Sequence, residues 1–441
     1  MGKRTREKRA AKAEQRARRH DGPIPPSRDS DGPDVFMNEQ ASAEEWFRSV
    51  RSAVRAAAQV HLMHGPDAAA GLIDDLVVHS SRVGVRDVHL AVDRMLLDEV
   101  GHLWRRGWLP VDAFQFVRRR AGREAASLLV DVVAAENSRH AVATVHPRWR
   151  SQLAEIGATV WWERSEPLLS QWARRHGHDE ATALTAAAAV LGDLAFTPAT
   201  TPSVPPPGSA QDASRARSGV DEKVLSRVRG LLAKAESTDF PDEAEALSAK
   251  AQELMNRYAL DRAAVEVEEQ APPAVAVRRI WLDSPYVAEK GHLVSAVAGA
   301  NRCRSVLAEK PGYLTVVGDE FDLDSTELLA TSLLVQANRA MLAEGKRTGQ
   351  AKTRSYRQSF LISYGVRIGE RLHTVTELDD SVSRALVPVF AAREQAVDNT
   401  VDELFPQLKA RDFTVRDATG WAAGHAAADR ARLTLEREQL R

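Results

Sequence analysis

The sequence predicts a mainly α-helical chain in three ordered parts: an N-terminal all-α domain, a central helical hairpin, and a C-terminal α+β domain with a small sheet. Three observations carry this. Apolar residues recur at helical spacing through residues 42–194, and no alternating run competes. A stretch at 197–219 then interrupts the pattern with five prolines. Alternating apolar segments, the mark of strands, begin only after Pro272.

The elements follow in order. Residues 1–38 read as a disordered basic arm and spacer. Met1–His20 holds nine Lys and Arg against two acids, and residues 21–34 are rich in Gly, Pro, Ser and Asp. The all-helical domain spans 39–196. Ser42-Ala-Glu-Glu45 reads as a capping box before Trp46, Phe47, Val50 and Val54. Helical segments follow at 67–81, 85–106, 110–120, 122–139, 148–175 and 179–194, and seven of the nine tryptophans lie in this domain. Residues 197–219 read as an extended linker.

A helical hairpin is expected over 220–263. Its first helix, about 221–235, places Val224, Val228, Leu231 and Ala235 on one face, with Leu225 and Leu232 beside them. Pro241 starts the second helix, where its missing N–H is not needed. Ala244, Leu247, Ala251, Leu254, Met255 and Tyr258 form that helix's apolar face. The α+β domain covers 272–441. Strands are expected at 274–282, 302–307, 313–317 and 385–390, with helices at 287–300, 321–343, 355–376, 393–408 and 418–440. A basic loop is expected at 345–354.

Composition bounds the function. Lys plus Arg number 60 against 61 acids, so any polyanion-binding surface must be local. The single cysteine, Cys303, excludes an internal disulfide and argues against a cysteine-rich zinc site. No run of about 20 apolar residues is present, so no membrane span is expected. A cytoplasmic protein is the simplest reading.

The stretch Leu231-Leu-Ala-Lys-Ala235, Ser237-Thr-Asp-Phe-Pro241, Glu243-Ala-Glu245 and Leu254-Met-Asn-Arg-Tyr-Ala-Leu260 resembles the family called domain of unknown function 2786. The matching motif positions are Leu231, Leu232, Lys234, Phe240, Pro241, Glu243, Ala244 and Tyr258. The region after Pro272 resembles the domain that usually follows it, number 7168, at Val316-Val-Gly-Asp-Glu-Phe-Asp322, Thr331–Ala337 and Arg357–Leu372. Leu103-Trp-Arg-Arg-Gly-Trp-Leu-Pro110 resembles the N-terminal part of bacterial members. The family occurs in bacteria and phages. The resemblance implies no activity and no catalytic residue.

Several groups carry candidate chemistry. Lys3, Arg4, Arg6, Lys8 and Arg9 of the arm, and Lys346, Arg347, Lys352, Arg354 and Arg357 of the basic loop, are candidate polyanion contacts, because cations release counterions from phosphates. The bland reading is a solubilising tail and a solvated loop. Trp104, Arg105, Arg106, Trp108, Phe114, Phe116, Arg118, Arg119, Arg120 and Arg123 read either as stacking rings with backbone-holding arginines or as core with a solvated face.

The outer face of the second hairpin helix offers Glu245, Lys250, Gln252, Glu253, Asn256 and Arg257, whose acids oppose groove reading. Glu99 and His102 have metal-pair spacing without the companions a di-iron bundle requires. His61/His64 and His176/His178 read as surface or packed histidines. Asp319, Glu320, Asp322 and Asp324 read either as a magnesium cluster or, in preference, as helix-start acids. Cys303 is flanked by Arg302 and Arg304, which lower a thiol pKa, but it reads best as a buried small hydrophobe. Gly365/Gly369 and Gly420/Gly424 predict tightly crossing helices.

No cofactor is implied. The leading expectation is a non-enzymatic binding or accessory protein with nucleic acid or another protein as partner. The alternatives are an enzyme with a phosphate- or metal-dependent site in the α+β domain, and a scaffold.

Overall fold

The computed structural model describes residues 43–200, 204–209, 219–237, 241–269, 274–348, 353–377, 386–409 and 416–430. The predicted arm at 1–38 lies outside them. The chain divides into two compact units, Met1–Ser49 and Val50–Arg441. In the described part of the first, Trp46 and Phe47 meet edge to face with centroids 4.8 Å apart.

Fifteen α-helices and three strands are described. The order begins α1 (Ala43–His64), α2 (Pro66–Val83), α3 (Val85–Arg105), α4 (Pro110–Arg120), α5 (Gly122–Asn137), α6 (Pro147–Glu155), α7 (Leu168–His176) and α8 (Glu180–Ala195). Proline in the first turn starts α2, α4 and α6, and Asp179 caps α8 through Thr182 N–H at 2.8 Å. Trp108, Trp149 and Trp172 fill this helical core. The helix expected over 148–175 is two helices. Gly157 at φ +70° ends the first, and Pro167 stands at the start of the second.

Residues 197–209, where described, alternate between buried and exposed positions. Thr197, Thr200 and Val204 are buried, and Thr200 N–H donates to Arg106 C=O at 2.9 Å.

The hairpin follows as α9 (Gly219–Ser237) and α10 (Pro241–Glu269). Leu225, Val228, Leu232 and Ala235 are buried on α9, and Ala251, Met255, Ala259 and Ala263 on α10. The apolar face of α10 therefore continues past Tyr258 to Ala263. The hairpin packs on α12 (Glu320–Thr348) and shares one hydrophobic core with the C-terminal region.

That region runs β1 (Ala276–Trp281), α11 (Val287–Ala300), β2 (Arg304–Ala308), β3 (Tyr313–Gly318), α12, α13 (Arg354–Glu377), α14 (Val387–Leu404) and α15 (Ala418–Arg430). The sheet is antiparallel in order β1-β3-β2, with Arg279 opposite Thr315 and Val306 opposite Thr315 on the other side. Ile280, Leu314 and Val316 join the core with α11, α12 and α13. Val277 and Val317 face Val397 and Val401 of α14. Every residue of β3 is buried, as a central strand covered on both faces requires.

Three expectations are corrected here. The apolar run expected as a strand at 385–390 enters α14, because Pro388 supplies a ready-made first turn. The basic loop begins later than expected, since α12 continues to Thr348. Cys303 precedes β2 rather than lying within it.

The glycine pairs do mark tight crossings, and the two helices that carry them, α13 and α15, pack against each other. Gly365 and Gly369 face Leu293 and Ala296 of α11, whereas Gly420 and Gly424 face Tyr356 and Phe360 of α13. Helix α13 is thus clasped from two sides. Among the described residues, no helix is long and apolar enough to cross a membrane.

Candidate functional site

The acids at the start of α12 form a cluster of ion pairs, in which each meets an arginine from a different element. Asp319 caps the helix, accepting Phe321 N–H at 2.9 Å, and pairs with Arg262 of α10 at 2.7 Å. Glu320 lies 3.8 Å from Arg148 of α6. Asp322 accepts Nε and Nη2 of Arg302 at 3.2 and 2.6 Å. Asp324 and Glu327 share Nη1 of Arg278, from β1, at 2.5 and 2.9 Å. These pairs hold the hairpin, the sheet and the N-terminal helices onto one helix end.

Arg302 reaches Asp322 because it takes φ +60° just past the end of α11, the left-handed conformation that terminates helices. Cys303 N–H then closes on Ala298 C=O at 2.9 Å. Burial opposes the charges of Arg302 and Arg278, but the adjacent carboxylates outweigh it, so both guanidiniums bind their proton more tightly than usual. Burial raises the Asp319 carboxyl above its ordinary range, with Arg262 opposing.

A cavity of about 230 Å³ opens beside this cluster, lined by Arg302, Cys303, Arg304, Asp319, Asp322, Phe390 and Arg393 among others. The Arg302 and Arg393 guanidiniums lie 5.9 and 5.8 Å from the centre of the Phe390 ring. Arg304 is held by Asp398 at 2.7 Å. The Cys303 thiol is pushed well above its ordinary range by burial, then by Asp322. Arg302 still acts to lower it, but burial outweighs that effect, as the reading of Cys303 as a buried small hydrophobe expects.

A second polar site joins the N-terminal helices to the sheet. The Arg279 guanidinium sits 3.9 Å from the centre of the Trp108 ring and 3.2 Å from Asp112. Asp112 also accepts Trp281 Nε1 at 2.8 Å, and Arg279 reaches Thr200 Oγ1 at 3.0 Å. Arg119 donates to Leu282 C=O at 2.6 Å and pairs with Asp283 at 2.9 Å.

The sequence candidates separate on this frame. Lys3, Arg4, Arg6, Lys8, Arg9, Lys352 and Phe240 lie outside the described residues, as do the side chains of Lys346, Arg347, Pro241, Glu243 and Ala244. Arg354 is exposed and Arg357 partly buried. Trp104, Trp108 and Phe116 are core. Arg106 pairs with Glu99 at 2.7 Å and Arg120 with Asp193 at 2.7 Å. His102, at metal-pair spacing from Glu99, has its Nδ1 2.6 Å from Asp98 C=O. His176 and His178 pack on Trp172.

Gln252, expected on the outer face of the hairpin, is fully buried and donates to Asn301 at 3.3 Å. Lys250, Glu253 and Arg257 form a surface ion-pair row instead. The arginines that matter most to the assembly, Arg148, Arg262, Arg278 and Arg279, carried one signal: Arg278-Arg279 interrupts an apolar strand pattern. Among the described residues, no group of three or more His, Cys, Asp or Glu is placed to hold a metal ion.

Residues 223–262 match the family described as protein of unknown function (DUF2786). No curated protein and no solved structure matches the chain significantly.

Proposed function

We propose that the protein is a non-enzymatic binding or accessory protein whose partner is nucleic acid. The supporting observation is the commitment of Asp319, Glu320, Asp322 and Asp324 to four separate arginines. Carboxylates used in this way clamp elements together, and clamping explains them without a substrate. The arm, with nine Lys and Arg in its first twenty residues, supplies a local positive charge that the near-neutral whole chain does not. A bacterial, cytoplasmic setting suits this reading, with residues from 272 onward as the companion domain of the hairpin.

The test is an electrophoretic mobility titration of the full chain with duplex and single-stranded DNA and RNA at several salt concentrations. Binding that weakens steadily as salt rises is expected. A thermal-shift panel of nucleotides and divalent metals runs beside it. Absence of nucleic-acid binding at low salt, together with strong stabilisation by a nucleotide or metal, would favour an enzyme with its pocket beside Phe390.

A further inference from the structure

The buried face of α9 determines what its opposite face shows to solvent. Leu225, Val228, Leu232 and Ala235 are at most 3% exposed, locked against α10 and α12. Lys223, Arg227, Gly230 and Lys234 recur at i, i+4, i+7 and i+11, within an arc of about 60° at 3.6 residues per turn. That arc lies opposite the buried positions. Ser226 and Ser237 flank it, and all six residues are exposed. No acid and no large apolar side chain falls in the arc. Arg339 of α12 donates to Glu236 C=O, fixing the end of the helix.

We infer that this face of α9 is a phosphate-contacting surface that follows the backbone of a nucleic acid, an inference that rests on the proposed binding function. Lys223 to Lys234 spans about 16 Å at 1.5 Å per residue. That length covers about five phosphates of one strand at 3.4 Å each. Lysine, arginine and serine are the side chains that hold phosphates and fix register without reading bases. An acidic protein partner fits less well, because protein interfaces centre on aromatic and apolar anchors, and this face has none.

Gly230 supports the same reading. Glycine within a helix costs stability relative to alanine, and a methyl group here would meet nothing within 4 Å, so packing does not require it. Its bare backbone lets a phosphate chain approach closely between the flanking cations.

The experiment compares salt dependence of binding for the full chain, a chain lacking residues 1–20, a Lys223→Gln/Arg227→Gln/Lys234→Gln variant, and Gly230→Glu. The log–log slope for the triple variant should fall by about 2 to 3, the loss of three phosphate contacts at 0.7–0.9 each. Gly230→Glu, which has open space for its side chain, should weaken binding without lowering the melting temperature. If the wild type binds and both variants keep its slope and affinity, the inference is overturned while the binding function stands. If the wild type fails to bind at low salt, the function itself falls. Capture of polyglutamate that the triple variant loses, with DNA binding intact, would reassign the surface to an acidic protein and also overturn the inference.

Discussion

Arg278 and Arg279, adjacent on β1, send their guanidinium groups to opposite faces of the sheet: Arg278 Nη1 reaches Asp324 of α12 at 2.5 Å, and Arg279 Nη1 reaches Asp112 of α4 at 3.2 Å. Strand alternation makes this possible, because successive side chains leave opposite faces. Two consecutive cations in a buried strand are costly unless each is paired. Here one anchors the sheet to its own helix layer and the other to the N-terminal helices.

The Arg279–Asp112 pair is nearly inaccessible, so removing one partner strands the other. Asp112→Ala and Arg279→Ala should each cost about 3–5 kcal/mol. The double variant should cost clearly less than their sum, because the two residues are coupled. Urea denaturation of the three variants measures this. Strict additivity would show that the pair does not hold the joint.

This joint explains which parts of the molecule were legible in the sequence. Helical period and proline starts located most helices, and alternation located all three strands, because these signals are local. The run Leu386-Val-Pro-Val-Phe390 misled because a short apolar run does not distinguish strand from helix without its context. The acids at 319–324 were legible as helix-start residues, but their partners come from distant elements: Arg262 lies 57 positions from Asp319, Arg302 lies 20 from Asp322, and Asp324 is met by Arg278 of β1. No local pattern encodes such pairings. Gln252 failed for the same reason: its partner, Asn301, belongs to another element.

Glycine substitutions should separate tight crossings from open ones. A methyl group at Gly420 would lie 2.5 Å from Tyr356 C=O, and one at Gly424 2.9 Å from Phe360 Cα, both backbone atoms that cannot rotate away. Gly424→Ala should therefore destabilise by about 1–3 kcal/mol, the usual range for overpacking. Gly299→Ala, on α11 with nothing within 4 Å, should be neutral or stabilising. Thermal melts of both proteins check the contrast, and equal effects would contradict the described α13–α15 crossing.

Asp93 gives a pH signature. Its carboxyl is buried and raised to about 7 by that burial, although it accepts Leu169 N–H at 3.1 Å and Leu168 N–H at 2.7 Å at the start of α7. A carboxyl with a raised folded pKa is protonated in the folded chain while the unfolded chain is already ionised. Its contribution therefore favours folding at low pH and is lost as pH rises from about 4 to about 7. Asp93→Asn removes this titration and one cap bond. The destabilisation caused by Asp93→Asn should be larger at pH 5 than at pH 8, by up to about 3 kcal/mol, at 1.36 kcal/mol per pKa unit. Urea titrations at the two pH values decide it, and an identical difference at both would show that Asp93 is ionised throughout.

Cys303 tests whether burial or neighbouring charge governs the cleft beside α14. Two flanking arginines would ordinarily make a thiol reactive. Here the side chain is 3% exposed, its Sγ donates to Asn301 C=O at 3.3 Å, and Arg302 and Arg304 are bound to Asp322 and Asp398. Burial disfavours the thiolate, and Asp322 adds to the effect by like-charge repulsion. Native protein at pH 8 should react with a disulfide reagent far more slowly than the same protein in denaturant, where the full thiol should titrate. Asp322→Asn removes a repelling charge but also loosens Arg302. It should speed the native reaction, because the freed guanidinium can then stabilise the thiolate. Rapid labelling of the wild-type native protein would mean that the Asp322–Arg302 pair opens readily and that the cleft, rather than the core, is the environment of the thiol.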